Sequence, residues 1–165
     1  MTAISMYSAS VPALSRMLNN LLAIVTKAEA TPEAAKLLEA RLAPDMHELT
    51  RQFQMLSDSA KNGVARLSGQ TAPSMPDTEK TFAEIRERLQ KTIDYVKSVD
   101  ASAIDGSEDR EIVLKFPNGE MKFTGLNYLN HFLLPNFYFH CSTAYAILRN
   151  QGLAIGKMDF LGRPA

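Results

Sequence analysis

Thiol is almost absent from this chain of 165 residues, which has one cysteine, Cys141. A lone cysteine excludes an intramolecular disulfide and leaves no second thiol for a metal knuckle. A reducing cytoplasm is therefore the expected compartment. Net charge is also absent: 18 Lys and Arg balance 18 Asp and Glu. Without a bulk field, neither nucleic acid nor an anionic membrane surface is an expected partner. Long apolar runs are missing too, since charges and amides break them far short of the roughly 20 residues that cross a bilayer. The N-terminus lacks the basic start and continuous apolar core of a signal peptide. No nucleophile elbow, P-loop or dinucleotide fingerprint occurs. Paired acids such as Glu108-Asp109 fall in loop-like sequence.

What is present reads as one soluble domain over residues 1–165. Hydrophobic residues make up 45% and charged residues 22%, an ordinary globular balance, and the length suits a single core. Leu14, Leu18, Leu21, Val25 and Ala28 recur at spacings of four and three, which predicts a first amphipathic helix. Ser8 or Ser10 is placed to cap it, with Pro12 in its first turn. Thr31-Pro32-Glu33 opens a short helix to about Ala40. Met46, Leu49, Phe53, Leu56, Ala60, Gly63 and Leu67 keep a 3-4 rhythm without a slip, predicting a long helix from Pro44 to Leu67. After a Pro-rich loop, Asp77 or Thr78 is expected to cap a third helix with the stripe Phe82, Ile85, Leu89, Ile93 and Val96.

A β-hairpin is predicted over about 111–124. Ile112, Leu114 and Phe116 alternate with polar or smaller positions, Asn118-Gly119 suits a two-residue type I′ turn, and Met121 and Phe123 alternate beyond it. That turn would set Phe116 opposite Met121 and Leu114 opposite Phe123, with all of them on one face. The last helix runs from about Leu126 to Arg149, and Pro135 inside it demands a kink or a break near Leu134. The tail to Ala165 reads as irregular. Four main helices, short connections and one hairpin predict an all-α four-helix bundle.

The segment from His131 to Cys141 is the place to look for a site, because it sets two of the three histidines in otherwise apolar helix. A buried imidazole must be hydrogen-bonded, bound to metal or held neutral. On the last helix His140 lies about 50° from the centre of the inward stripe, with Asn136 on the same flank one turn earlier. Residues spaced i, i+4 can share a ligand, and two histidines at that spacing bind one metal in HExxH helices. Asparagine is a weaker donor, so a buried histidine bonded to an amide or carbonyl is the competing reading. His131 faces a loop, the hairpin or a partner. His47 points about 145° away from the centre of the second helix's stripe unless the turn after Pro44 is irregular. Asp45 and Gln52 lie on that stripe's flank and are candidates for polar contacts in a cleft. Cys141, on the core stripe, reads as an inert buried thiol.

Three stretches carry a resemblance. They are Met6-Tyr7-Ser8-Ala9-Ser10-Val11-Pro12; Arg41-Leu42-Ala43-Pro44-Asp45-Met46 with Leu49-Thr50-Arg51-Gln52; and Leu133-Leu134-Pro135-Asn136-Phe137-Tyr138-Phe139-His140 with the closing Phe160-Leu161-Gly162. Together they resemble a bacterial family of domains of unknown function, similar to a distant branch of the DinB/YfiT-like superfamily. The resemblance implies a four-helix bundle, a homodimer and, as in many members, a divalent metal (zinc, nickel or manganese) on three histidines. One such histidine comes from the second helix and two from an HxxxH pair on the last. His140 matches the second of that pair, Asn136 stands at the first, and the remaining position falls nearer Gln52 or Gln54 than His47. The expected function is a degenerate or non-catalytic ligand-binding member with a polar cleft around His140 and Asn136 and no resident cofactor. Its rival is a metal-dependent hydrolase or thiol transferase using His140, Asn136 and either His47 or Gln52.

Overall fold

The computed structural model describes residues 4–162, and in it the four stripes read from the sequence become the walls of one core. The elements in chain order are α1 (Met6–Glu29), α2 (Ala34–Leu38), α3 (Leu49–Ser68), α4 (Phe82–Ser98), α5 (Ala101–Ile104), β1 (Glu111–Phe116) and β2 (Gly119–Thr124). They continue with α6 (Gly125–Tyr128), a π-helical turn (Leu129–Leu133), α7 (Leu134–Asn150) and α8 (Lys157–Leu161). The bundle consists of α1, α3, α4 and α7, with α1 packed on α4 and α3 packed on both α4 and α7. Leu14, Leu18, Phe53, Leu56, Leu89 and Phe137 are fully buried where these faces meet. Among the described residues, no helix is long and apolar enough to cross a membrane.

The connections are not all short, and this changes the topology. Asp77 pairs with Arg51, and Glu79 accepts from the Gln54 amide at 2.9 Å, so residues 70–80 run back along α3 to its N-terminal end. A 20-residue helix is about 30 Å long, a distance nine extended residues can cover. As a result α4 starts beside the start of α3 and runs parallel to it. Contacts of α1 with α4 residue Arg86 through Glu29 (3.0 Å), and of Tyr7 with Asp105 beyond α4, make α1 antiparallel to α4.

What fastens the crossover is Arg88. Its side chain is 2% exposed and its guanidinium reaches Asp58 (2.8 Å), Asp77 (3.0 Å), Glu79 (2.9 Å) and the Pro76 carbonyl (3.2 Å). Nε also donates to Ser57 Oγ at 3.1 Å. Arg51 and Lys61 complete the group, on Asp77 and Asp58, so three cations meet three carboxylates.

Several boundaries differ from expectation for local reasons. The Ser5/Ser8 capping box starts α1 before Ser8, which places Pro12 in the second turn rather than the first. α3 starts at Leu49, not Pro44: Arg41 holds the Met46 carbonyl and the Glu48 carboxylate, and this keeps residues 41–48 irregular. Thr81, with Glu84, caps α4 in place of Asp77 or Thr78, whose neighbourhood is tied to Arg88 and Arg51. The tail contains α8, held to α1 by Asn20 on the Phe160 carbonyl and by Lys27 on Asp159.

The hairpin spans Glu111–Thr124 as expected, but its register is shifted by two. Phe116 lies opposite Gly119, Leu114 opposite Met121 and Ile112 opposite Phe123. Pro117 has no N–H for the ladder and a fixed φ suited to a turn's first central position, so the turn centres on Pro117-Asn118. An even shift keeps every side chain on its predicted face. Ile112 and Leu114 are buried, whereas Phe116 and Met121 at the tip are exposed.

Pro135 has the predicted effect on the last helix. Lacking an N–H for the His131 carbonyl, it follows a widened π turn in which the Leu134 amide reaches back to the Leu129 carbonyl. Leu133 from this turn packs over Gly63, where an added Cβ would lie 2.3 Å from a Leu133 methyl.

Three substitutions test this arrangement. At Gly125 an added Cβ would stand 1.9 Å from the Ser107 backbone oxygen. Gly125→Ala should therefore cost about 1–3 kcal/mol through overpacking, and an unchanged urea midpoint would contradict the close approach. Arg88→Met should cost about 1–3 kcal/mol, because it removes the buried guanidinium to which Asp58, Asp77 and the half-buried Glu79 are bonded and leaves the Pro76 carbonyl without its donor. Arg86→Met, which removes the partly exposed pair with Glu29, should cost under about 1 kcal/mol. Equal losses would show that the crossover does not depend on Arg88.

Candidate functional site

The seam between α3 and α7 carries the polar residues singled out above. Tyr128 meets Arg66, Leu133 meets Gly63, Asn136 meets Ser59 and His140 meets Gln52, so the two helices run antiparallel. On α3 the rungs Gln52, Ser59, Gly63 and Arg66 recur at seven, four and three, so they follow one side of the helix, where side chains three and four apart share a face. Asn136 Nδ2 donates to Ser59 Oγ at 2.7 Å, and that hydroxyl in turn donates to the Met55 carbonyl. Asn136 therefore bonds across the seam and not to His140.

The His140 tautomer follows from a backbone carbonyl. Gln52 Nε2 donates to the His47 carbonyl at 3.2 Å, which turns Gln52 Oε1 toward the imidazole. The Oε1 oxygen can only accept, so His140 Nδ1 carries the proton and donates to it at 2.8 Å. The Nε2 lone pair is then the ring's remaining acceptor. His140 is 4% exposed. Burial first, then the positive fields of His47 and Arg51, push its pKa below the ordinary histidine value. The imidazole is held neutral.

Beside this seam lies an open groove of about 230 Å³, lined by Arg51, Met55, Asp58, Ser59, Asn62 and Arg66 of α3, with Tyr128, Phe132, Leu133 and Asn136 opposite. The widened turn shapes its far wall. Tyr128 and Phe132 stack there at 5.8 Å between centroids, and the Arg66 guanidinium lies 5.8 Å from the Tyr128 ring centroid. Arg66 also donates to the Tyr128 hydroxyl at 2.9 Å. Burial raises the Tyr128 pKa, so the phenol keeps its proton.

The remaining candidates lie apart. Asp45 is exposed in the turn before α3. His47 is exposed ahead of the helix, yet close enough for its charge to act on His140. Gln54 is buried between Glu79 and Arg51. His131 is exposed on the π turn and faces the hairpin across a groove that includes Glu111 and Lys122. Cys141 is fully buried, and burial pushes its thiol well above the ordinary range. Sequence reasoning passed over Arg51, Ser59, Asn62, Arg66 and Tyr128. The signal was available: on α3 Arg51, Met55, Asp58, Asn62 and Arg66 repeat at four, three, four and four, a second stripe beside the apolar one.

These residues do not fit the metal site that the resemblance implies. His140 is engaged by Gln52 and Asn136 by Ser59, leaving one imidazole among neutral amides, a weak donor set for zinc-like ions. Among the described residues, no three His, Cys, Asp or Glu are grouped so as to hold a metal ion.

Comparison with known proteins agrees with the fold. Residues 6–161 match the family model described as domain of unknown function (DUF1993). A crystal structure of a DinB family member from Shewanella denitrificans is 39% identical, with 96% of this chain and 92% of that chain covered and a TM-score of 0.87. No curated protein matches significantly.

Stability should fall on acidification through His140. Its folded pKa is lowered, so the unfolded chain takes up a proton more readily. The contribution is present above the unfolded value of about 6.5 and is lost as pH falls from there toward the folded pKa. Urea midpoints at about pH 7.5 and pH 5 should diverge more for wild type than for His140→Gln, which has no proton to gain. Parallel losses in the two proteins would mean that His140 is not the group held neutral.

Proposed function

This chain belongs to the DUF1993 family, and from that premise we propose that it is a metal-free, ligand-binding relative of the DinB-like bundles whose cleft lies along the α3–α7 seam. One observation carries the reading. The side chains at two positions where such bundles place metal ligands are bonded to protein partners, His140 to Gln52 and Asn136 to Ser59. A cleft so arranged offers hydrogen bonds and shape but no strong Lewis acid. The π turn supports a binding role as well, because such widened turns recur at functional sites. The groove beside the seam has room for a small molecule. Cys141 supplies no nucleophile, buried and with its thiol proton held. The rival reading, a metal-dependent hydrolase or thiol transferase, draws on one fact: His47 lies within electrostatic reach of His140.

Metal analysis of protein purified without an affinity tag separates the two. Wild type should carry well under one zinc, nickel or manganese ion per chain. Asn136→His, which completes an i, i+4 histidine pair with His140, should gain stoichiometric zinc or nickel. A wild type holding close to one tightly bound ion, lost in His140→Ala, would decide for the metalloenzyme.

A further inference from the structure

We propose that the groove between α3 and the π turn binds a small carboxylate carrying an aromatic or branched apolar group, with Arg66 as the anchor of its charge. This inference rests on the cleft reading above and specifies the class of ligand.

The charge argument comes first. Arg51 and Asp58 also line the groove. Both are consumed in the knot around Arg88, where three cations meet three carboxylates and cancel. Among the described residues Arg66 has no carboxylate partner; its contacts there are the Tyr128 hydroxyl and ring. His140 stays neutral. The groove is left with one uncompensated positive charge, and a guanidinium's forked donors match a carboxylate.

The hydrogen-bond inventory agrees. Tyr128 is 1% exposed and its oxygen accepts from Arg66, but its own O–H has no acceptor among the described residues. Asn62 uses its oxygen to accept from Lys61, at 3.3 Å, and its amide N–H groups donate to none of the described residues. Donors outnumber acceptors at this end of the groove. The ligand must bring oxygen atoms.

The walls define the rest of the molecule. Phe132 and Leu133 give the groove an apolar side next to Arg66. Arg66 and Phe132 also line a second depression that continues to Val113 and Phe116 on the hairpin. A ligand with its carboxylate on Arg66 would lay an apolar body along Phe132. Acetate has the head without the body, and 2-phenylethanol the body without the charge.

Titration of 15N-labelled protein with phenylacetate, acetate and 2-phenylethanol tests this. Phenylacetate should shift amide signals of residues 62–66 and 128–133, and each truncated probe should bind at least about ten-fold more weakly. Arg66→Gln, a change at an exposed side chain, should weaken phenylacetate by at least about ten-fold, and Tyr128→Phe by a few-fold. Equal binding of 2-phenylethanol, an unchanged affinity in Arg66→Gln, or no shifts at these residues would overturn the proposal. Metal content measured on the same samples keeps the two readings apart. A metal-loaded wild type that still loses phenylacetate in Arg66→Gln would refute the metal-free reading and support this one.

Discussion

A guanidinium cannot shed its proton, so a buried arginine forces the fold to bring carboxylates to it. Arg88 is that constraint here. Its three acidic partners come from α3 and from the crossover, and none is supplied by α4 itself. Satisfying it therefore requires the chain to double back along α3 before α4 can begin. The parallel placement of α3 and α4 follows, and with it the position of α7 on the opposite flank of α3. The groove depends on the same constraint, because the knot that holds the crossover also neutralises Arg51 and Asp58 on the groove's wall.

The bundle was legible because periodicity reports burial directly. The stripes of α1, α3, α4 and α7 needed nothing beyond counting threes and fours, and Pro135 announced the distortion it causes. The hairpin faces were also legible, since the alternation survives an even register shift. The register itself was not: Asn118-Gly119 is the stronger local turn signal, but Pro117 cannot serve as a ladder donor. Helix starts were misread where a long-range polar contact overrides the local signal. Arg41 does this before α3, and Arg51 with Arg88 does it before α4.

The site was half legible. Isolation in apolar sequence picked out His140, and spacing picked out Asn136 and Gln52, yet their partners depend on which helix lies opposite. An i, i+4 relation says that two side chains can meet, not that they do, and Asn136 reaches Ser59 on another helix instead. Arg66 drew no attention because one arginine among 18 basic residues is unremarkable in sequence. Its significance lies in being the charge that its neighbours leave over.

The parallel run of α3 and α4 has an electrostatic consequence. Peptide dipoles add along each helix, so the two N-terminal ends form neighbouring positive poles. Antiparallel packing would have set a negative pole beside each. The chain places Asp77 and Glu79 of the crossover and Glu84 of the α4 cap at this end. The Glu84 carboxyl is held below the usual carboxylate range by the Lys80 amide and then by the Thr81 hydroxyl. The acids that neutralise Arg88 thus also screen two like poles from each other.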